Sequence, residues 1–262
     1  MDDGSVSGDR DEEFLKFYKQ TLDIADNEDN HNELSMDFPR TLHSNLDKFQ
    51  YYTVEKFNNS FKTQTINQLS TISINIRGLS CNYINLIQYL KSLKIEFDAL
   101  ILTECHIKMN ELVDEDLHKT HPIEGYDKFY VKSTIRYGGV VMYVKSEYKA
   151  TYYQELTKSC ETHDSVYVKI DPANLHTKSK AKNILYLGGY YRYCEAADKI
   201  QFIDKINSDL GNKNLQKNDI IIAGDFNICL MKSTHKADSL FFLNTILGNT
   251  CEILIFKPTR IQ

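Results

Sequence analysis

Ile220-Ile221-Ile222-Ala223-Gly224-Asp225-Phe226-Asn227 is the stretch that decides the fold of this chain. Its β-branched apolar run predicts a strand buried on both faces of a sheet. Asp225 and Asn227 follow where the strand ends, and their spacing of two places them on one side if the extended backbone continues. A carboxylate and an amide there suit a metal ion or a polar reacting centre. Since Gly, Asp and Asn are also common turn residues, the stretch alone leaves an ordinary turn equally open.

The composition indicates one large folded domain with an acidic leader. The chain has 262 residues, of which 42% are hydrophobic and 26% charged, and its net charge is −5. Residues 1–37 hold 12 of the 36 acidic and 3 of the 31 basic residues, which leaves 24 acidic and 28 basic residues for the body. A mildly basic body permits contact with a phosphate backbone without demonstrating it. We expect residues 1–67 to be a largely disordered leader and connector, and residues 68–262 to be the domain.

Cysteine usage and the N-terminus bear on the cellular compartment. The six cysteines form no Cys-x-x-Cys pair, so they signal neither a zinc site nor a redox motif, and they fit a reducing, intracellular compartment. The N-terminus, Met-Asp-Asp-Gly, does not resemble a signal peptide. Because no apolar run approaches the length that spans a bilayer, we expect no membrane partner.

The body begins with a strand, a helix and a second strand. Strict alternation over Thr71–Ile76 predicts a half-buried strand, which Arg77-Gly78 ends. Apolar residues at helical spacing follow, with Ser80 or Asn82 available as the N-cap. The apolar run Phe97–Leu102 predicts the second strand. This order is typical of a βαβ-like start.

Strands and helices continue to alternate along the rest of the chain. The patterns predict strands over residues 138–144, 165–170, 183–191, 219–225 and 251–256, of which the segment 165–170 is half-buried. They predict helices over residues 196–210 and 237–247. Residues 105–135 look irregular, and Phe57-Asn58-Asn59 looks like a turn. Because strands outnumber helices, the pattern favours two sheets packed face to face with helices outside over a single doubly wound sheet.

Polar residues follow five of these strands. In chain order they are Asn75, Glu104, Tyr190-Tyr191-Arg192, Asp225 with Asn227, and Thr259-Arg260. Each has an ordinary explanation by itself, as a cap, a solvated side chain or a core aromatic residue. Five such strand ends in succession indicate side chains that meet at one edge of the sheets.

The order of these segments resembles the endonuclease/exonuclease/phosphatase superfamily. The matching segments are Asn75–Leu79, Leu102–Glu104, Gly138–Val140, Tyr191-Arg192, Gly224–Asn227 and Pro258–Arg260. Asn-Ile-Arg-Gly-Leu-Ser before a helix, and Leu-Thr-Glu, are particularly similar to the apurinic-like endonuclease domain of non-LTR (LINE-type) retrotransposons. The resemblance covers about residue 68 to the end. It implies an α/β fold, a four-layer α/β/β/α sandwich (DNase I-like) that is incomplete at the C-terminus.

The resemblance also implies a metal-dependent phosphodiesterase that nicks DNA for retrotransposon insertion, with the nucleus as its site of action. It places Asn75 and Glu104 at a Mg²⁺ site, where Mn²⁺ is the alternative ion. Carboxylate and amide oxygens suit such hard cations. The catalytic residues that it implies are Tyr191 at the scissile phosphate, Asp225 on the attacking water and Asn227 on the phosphate as charge develops.

Three further residues are implied as substrate contacts, with DNA as the partner. They are Arg77, Arg192 and Thr259, and Arg192 is equally a candidate structural residue. Where the resemblance leads us to expect a proline, Tyr193-Cys194 follows instead. That departure leaves Tyr190 and Tyr191 as alternatives for the functional tyrosine.

Members of the superfamily continue beyond the Pro-Thr-Arg segment, whereas this sequence stops at Gln262. The later segments of those members carry an Asp that orients a His, and then a Ser-Asp-His segment. Two alternatives therefore accompany the nicking activity. One is a catalytically inactive, truncated remnant that retains only binding. The other is a phosphatase, sphingomyelinase or deadenylase with the same fold and a different phosphate ester as its substrate.

Overall fold

Two β-sheets and the helices beside them form the structured part of the chain. The computed structural model describes residues 52–61, 69–107, 119–175, 182–194, 199–230 and 237–254. The chain divides into two compact units, one of which is Tyr52–Asn227 and contains both sheets. The other contains the described residues from Ile228 onward. No helix in the described ranges is both long and apolar enough to cross a bilayer.

The first sheet has four strands. They are β1 (Thr71–Asn75), β2 (Ala99–Thr103), β3 (Tyr126–Val131) and β4 (Val140–Lys145). Their order across the sheet is β1-β2-β4-β3, with β1 parallel to β2 and the other pairs antiparallel. Because Asn75 lies opposite Thr103 in the parallel pair, the residues that follow β1 and β2 emerge at the same edge.

The second sheet has five strands. They are β5 (Thr151–Tyr152), β6 (Lys158–Ser159), β7 (His163–Ile170), β8 (Leu185–Arg192) and β9 (Asp219–Asp225). The order is β5-β7-β8-β9, and β6 also pairs with β7. The strands β8 and β9 are parallel, with Tyr191 opposite Asp225, so the C-terminal ends of these two strands also lie at one edge.

Five α-helices accompany the sheets in the described residues. They are α1 (Val54–Ser60), α2 (Leu79–Ser92), α3 (Lys199–Leu210), α4 (Lys213–Gln216) and α5 (Ala237–Gly248). Short 3-10 helices lie at Ser146–Tyr148 and Pro172–Asn174. The last α-helix belongs to the second unit and the other four to the first.

The hydrophobic core separates the layers of the sandwich. One cluster lies between the sheets and joins Ile101 and Met142 of the first sheet to Val166 and Leu187 of the second. Another joins the opposite face of the first sheet to α2, while Phe202 of α3 packs against Tyr190 on the outer face of the second sheet. Alternate residues of a strand point to opposite faces, and so each sheet can serve two layers. The architecture is the predicted α/β/β/α sandwich of the DNase I type.

Several local predictions were wrong. Residues 126–131 form β3 rather than an irregular segment, and Phe57-Asn58-Asn59 lies inside α1 rather than in a turn. The helix α2 begins directly after Gly78, which has a φ of 100°. Its predicted N-caps, Ser80 and Asn82, lie inside the helix, where the Asn82 side chain donates to the carbonyl of Ile76 at 3.0 Å.

The observed burial of two strands also differs from the burial that the sequence patterns predict. The strand β7 is buried on both faces except at Lys169, because it lies between other strands and under both the core and α3. The strand β9 is only partly buried, since among the described residues β8 alone pairs with it. Residues 251–254 do not form the predicted strand, while residues 1–51 and 255–262 lie outside the described ranges.

Candidate active site

Three polar side chains from the two sheets meet at one edge of the sandwich. Asn75 ends β1, Glu104 follows β2, and Asp225 ends β9. The Asn75 Nδ2 atom donates to Glu104 Oε1 at 2.6 Å and to Asp225 Oδ2 at 2.9 Å. These partners are 29 and 150 positions away in the sequence. The fold therefore places two carboxylates around a single amide group.

The backbone at Glu104 has a conformation that residues other than glycine rarely adopt. Its φ is 52°, in the left-handed region, directly after the extended residues of β2. The carbonyl of Glu104 accepts a hydrogen bond from Gly78 N at 2.7 Å, and Cys105 N donates to Gly139 O at 3.1 Å. A left-handed residue of this kind costs about 1–2 kcal/mol, and such strain is concentrated at functional sites. These hydrogen bonds stabilise the turn that presents the carboxylate.

Tyr191 lies beside these carboxylates. It is paired in register with Asp225, and its phenol lies close enough to Glu104 for the negative charge of that carboxylate to act on it. Burial, followed by the negative charges of Glu104 and Asp225, raises the pKa of the Tyr191 phenol well above its usual value. At physiological pH the phenol is protonated, as an unperturbed tyrosine also is, and it can donate a hydrogen bond.

Tyr190 occupies a different environment on the opposite face of β8. It is completely buried, its hydroxyl donates to Asp209 Oδ2 at 2.9 Å, and it accepts a hydrogen bond from Tyr167 at 3.0 Å. Because successive strand residues point to opposite faces, both tyrosines cannot reach the same site. The geometry favours Tyr191 over Tyr190 as the site tyrosine.

Hydrogen bonds of Asn227 and Arg192 hold the backbone that follows Asp225. The Asn227 backbone N donates to Asp225 Oδ1 at 3.1 Å, and its Nδ2 atom donates to Arg192 O at 2.6 Å. Arg192 is only 2% exposed, and its guanidinium donates to the carbonyls of Phe226 at 2.7 Å and Asn227 at 2.8 Å. This geometry favours the structural alternative for Arg192 over a phosphate contact.

The remaining substrate-contact candidates are placed differently. Arg77 is exposed in the turn between β1 and α2, with a φ of 50°. Thr259 lies outside the described residues. The edge therefore brings together Asn75, Glu104, Tyr191, Asp225 and Asn227, and it leaves Arg77 at the adjacent surface.

The donor set fits a hard divalent cation. Asn75 Oδ1 is one of the few buried side-chain atoms in the described residues without a hydrogen-bond partner. Such atoms are rare in folded proteins, and amide and carboxylate oxygens are ligands that Mg²⁺ takes. The described residues contain no group of three His, Cys, Asp or Glu side chains that could hold a metal. Two carboxylates and one amide nevertheless suffice for Mg²⁺, which keeps several water or phosphate ligands.

The sequence patterns missed Asp164 as a supporting residue. Its side chain is completely buried and accepts hydrogen bonds from Gly139 N at 2.7 Å and from the Tyr193 hydroxyl at 2.6 Å. Gly139 in turn bonds to Cys105, next to Glu104. We missed it because we predicted that strand to begin at residue 165, whereas β7 begins at His163 and includes Asp164.

Comparison with known proteins decides the family. The profile of the endonuclease/exonuclease/phosphatase family matches residues 72–245, which is more than half of the chain. The chain belongs to this family. No curated protein matches it. The family match spans Asn75, Glu104, Tyr191, Asp225 and Asn227, the residues that the fold brings to one edge.

Several solved structures are similar to this chain. The AP endonuclease LMAP from Leishmania major is 14% identical, with a TM-score of 0.51, and the match covers 80% of this chain and 77% of that one. An AP endonuclease from Archaeoglobus fulgidus is 15% identical, with 69% and 70% coverage and a TM-score of 0.44. D. rerio TDP2 complexed with single strand DNA product is 15% identical, with 71% and 66% coverage and a TM-score of 0.42. At these identities the first likeness supports the fold alone.

Proposed function

We propose that this chain is a metal-dependent phosphodiesterase that nicks DNA in the manner of an apurinic-type endonuclease. One observation carries the proposal: Asn75 lies between the carboxylates of Glu104 and Asp225, and its buried Oδ1 atom lacks a partner. Membership of the endonuclease/exonuclease/phosphatase family limits the chemistry to phosphate esters. The mildly basic body of the chain is compatible with a polyanionic substrate.

Glu104 and Asn75 Oδ1 would hold the cation, Mg²⁺ or alternatively Mn²⁺. When bound, the ion supplies positive charge against the phosphate oxygens. Asp225 then acts as the general base that accepts a proton from the attacking water. The hydrogen bonds from Asn75 and from the Asn227 backbone orient this carboxylate, so that it does not have to reorganise during the reaction.

Tyr191 and Asn227 would stabilise the phosphate as charge builds on it. The Tyr191 phenol, whose pKa is raised further by burial, is protonated at neutral pH and can donate a hydrogen bond to a phosphate oxygen. The Asn227 amide uses one hydrogen on Arg192 O, and its second hydrogen would be donated to the same phosphate. Fixed donors of this kind usually supply a large share of the rate acceleration in such reactions.

The target that we propose is chromosomal DNA, nicked in the nucleus to prime retroelement insertion. This narrower proposal is supported by the similarity of Asn75–Ser80 and Leu102–Glu104 to LINE-type endonuclease domains. Arg77, exposed beside the site, would contact a DNA phosphate, and we retain Thr259 as a further substrate contact. A target-primed nicking assay on defined duplex sequences tests this narrower proposal.

A plasmid-nicking assay tests the activity itself. Supercoiled DNA is incubated with Mg²⁺ or with a chelator, and wild type is compared with Asp225→Asn. Loss of the general base is expected to slow nicking by about a hundredfold or more, within the 10²–10⁴-fold contribution of such groups. The matched control is Asp219→Asn, because Asp219 begins the same strand and is exposed. We expect that control to nick like wild type.

Other substrates in the same assay separate the alternatives. Equal nicking by wild type and Asp225→Asn would overturn the assigned mechanism. Hydrolysis of RNA or an inositol phosphate with no nicking of DNA would overturn the substrate class. Binding of DNA without Mg²⁺-dependent cleavage would instead identify a protein that retains binding alone.

A further inference from the structure

The loop between β3 and β4 carries an aromatic ring to the edge that holds Glu104. The backbone N–H groups of Cys105 and His106 donate to Gly139 O at 3.1 Å and to Gly138 O at 2.7 Å. Tyr137 immediately precedes these glycines. The loop and the residues that follow β2 are thus joined by backbone hydrogen bonds, and Tyr137 is fixed at the same edge as the candidate site.

The imidazole of His106 holds the Tyr137 ring in place. The two ring centroids are 5.3 Å apart with an interplanar angle of 67°, an edge arrangement that aromatic pairs favour. His106 also lies against Gly78, where an added Cβ would be 3.0 Å from Nδ1. His106 therefore connects Tyr137 to the turn that follows Asn75.

Tyr137 remains open to solvent despite these neighbours. It is 52% exposed, and the Arg136 guanidinium lies over its ring at 5.2 Å from the centroid. Arg77, which directly precedes Gly78 in the turn after β1, is also exposed. An exposed ring with a guanidinium group beside it is a combination that suits single-stranded nucleic acid, since a base can stack on the ring and the cation can pair with a phosphate.

Two other exposed tyrosines of the described residues lie in a different environment. Tyr52 and Tyr89 line an apolar pocket together with Phe57, Leu93 and Phe97. That pocket has no charged lining residue, so it does not suit a phosphate-bearing ligand. Charge complementarity therefore singles out the Tyr137 surface as the one for a nucleotide.

We propose that Tyr137, with Arg136 and His106, is a stacking platform for an unpaired nucleobase next to the scissile phosphate of DNA. The inference rests on the proposed function, because it assumes that the phosphate lies at Glu104 and Asp225. A base within an intact duplex is stacked on both faces, so the platform takes a base that is already unpaired or has left the stack. It would favour DNA with a gap, a flap or a single-stranded end over continuous duplex.

Equilibrium binding without divalent metal tests this inference separately from cleavage. The full chain is titrated with a fluorescent single-stranded DNA and with the same strand carrying a row of abasic sugars. Variants are Tyr137→Ala, Tyr137→Phe and the matched control Tyr89→Ala, since Tyr89 is also exposed, at 43%. Because stacking on one aromatic ring changes affinity by roughly five- to a hundredfold, we expect Tyr137→Ala to weaken binding of the normal strand about tenfold. Tyr137→Phe and Tyr89→Ala should stay within about twofold of wild type, since they keep the ring or lie elsewhere.

The abasic strand separates stacking from other effects. Wild type and Tyr137→Ala should bind it equally, because it has no base to stack. An equal loss on both strands would mean that Tyr137 contacts the backbone, and unchanged binding of the normal strand would mean that no base stacks there. Either result overturns the inference. It is also overturned if the wild-type protein binds neither the normal strand nor the abasic strand. Tyr137-dependent base binding in a chain that never nicks DNA would overturn the proposed function alone.

Discussion

Arg192 and Asn227 are held together by reciprocal hydrogen bonds between side chain and backbone. Asn227 Nδ2 donates to the Arg192 carbonyl at 2.6 Å, and Arg192 Nη2 donates to the Asn227 carbonyl at 2.8 Å. The Arg192 Nε atom adds a bond to the Phe226 carbonyl at 2.7 Å. This arrangement joins the ends of β8 and β9, and it fixes the turn after Asp225, where Asn227 has a left-handed φ of 49°.

Replacing Arg192 should impair the geometry of the site through these bonds. In Arg192→Ala the carbonyls of Tyr193, Phe226 and Asn227 lose a charged donor, which costs about 1–3 kcal/mol for each carbonyl that is left buried without another partner. We expect a lower Tm and a large fall in kcat with a smaller change in KM. Added guanidinium should restore part of the activity, whereas methylammonium, which lacks the planar fork of donors that reaches these carbonyls, should restore less. A loss of kcat that neither cation repairs, with an unchanged Tm, would argue against this positioning role.

Gly224 is required by a close approach between β8 and β9. It has a φ of 149°, and a Cβ built there would lie 1.9 Å from the carbonyl oxygen of Tyr190. Gly224→Ala should therefore shift the strand end that carries Asp225 and destabilise the protein by more than about 3 kcal/mol, as severe steric changes in a packed region do. Urea unfolding measures the change. Gly248→Ala is the matched control, because nothing lies within 4 Å of its added Cβ, and it should be neutral or slightly stabilising.

Asn75→Asp tests whether the site takes a cation. The substitution puts a third carboxylate where the amide lies 2.6 Å from Glu104 and 2.9 Å from Asp225. Like charges at that distance repel, so we expect a lower Tm in the presence of a chelator. Because a ligand that binds only the folded state raises stability, Mg²⁺ should raise the Tm of this variant more than that of wild type. Equal Tm values with and without Mg²⁺ for both proteins would contradict a cation site here.

His163 should make the fold sensitive to mild acid. It is completely buried in β7, stacked on Tyr190, and burial lowers its pKa to about 4 from a usual value of 6.5. Because the unfolded chain binds the proton more tightly than the folded protein, protonation of His163 favours unfolding. The free energy of unfolding is therefore highest above pH 6.5 and decreases as the pH falls toward 4. The difference between the two pKa values of His163 corresponds to a loss of roughly 3 kcal/mol in the free energy of unfolding.

Denaturant unfolding between pH 4 and 8 measures this effect. His163→Phe preserves a ring against Tyr190 and removes the titrating group, so its unfolding free energy should vary less with pH than that of wild type. Above pH 6.5 the two proteins should differ by a constant amount. Parallel curves over the whole range would show that another group controls the acid response.

The sequence by itself determined much of the secondary structure, and it showed the motifs in the order that is typical of the family. The strands around residues 71–76 and 219–225 were predictable because alternation and apolar runs are local properties of a chain. The polar residues at their ends, Asn75 and Asp225, were visible for the same reason. Segment 126–131 was not predictable, since only pairing with β4, which follows later in the chain, makes it a strand.

The tertiary structure decided which of these residues meet. The sequence left Tyr190 and Tyr191 as alternatives, and the face of β8 that each occupies places one against Asp209 and the other beside Glu104. It also left open the role of Arg192, which depends on carbonyls 34 and 35 positions away. The physical reason is that strand register and sheet packing set such distances, and a local pattern carries no information about partners that lie far along the chain.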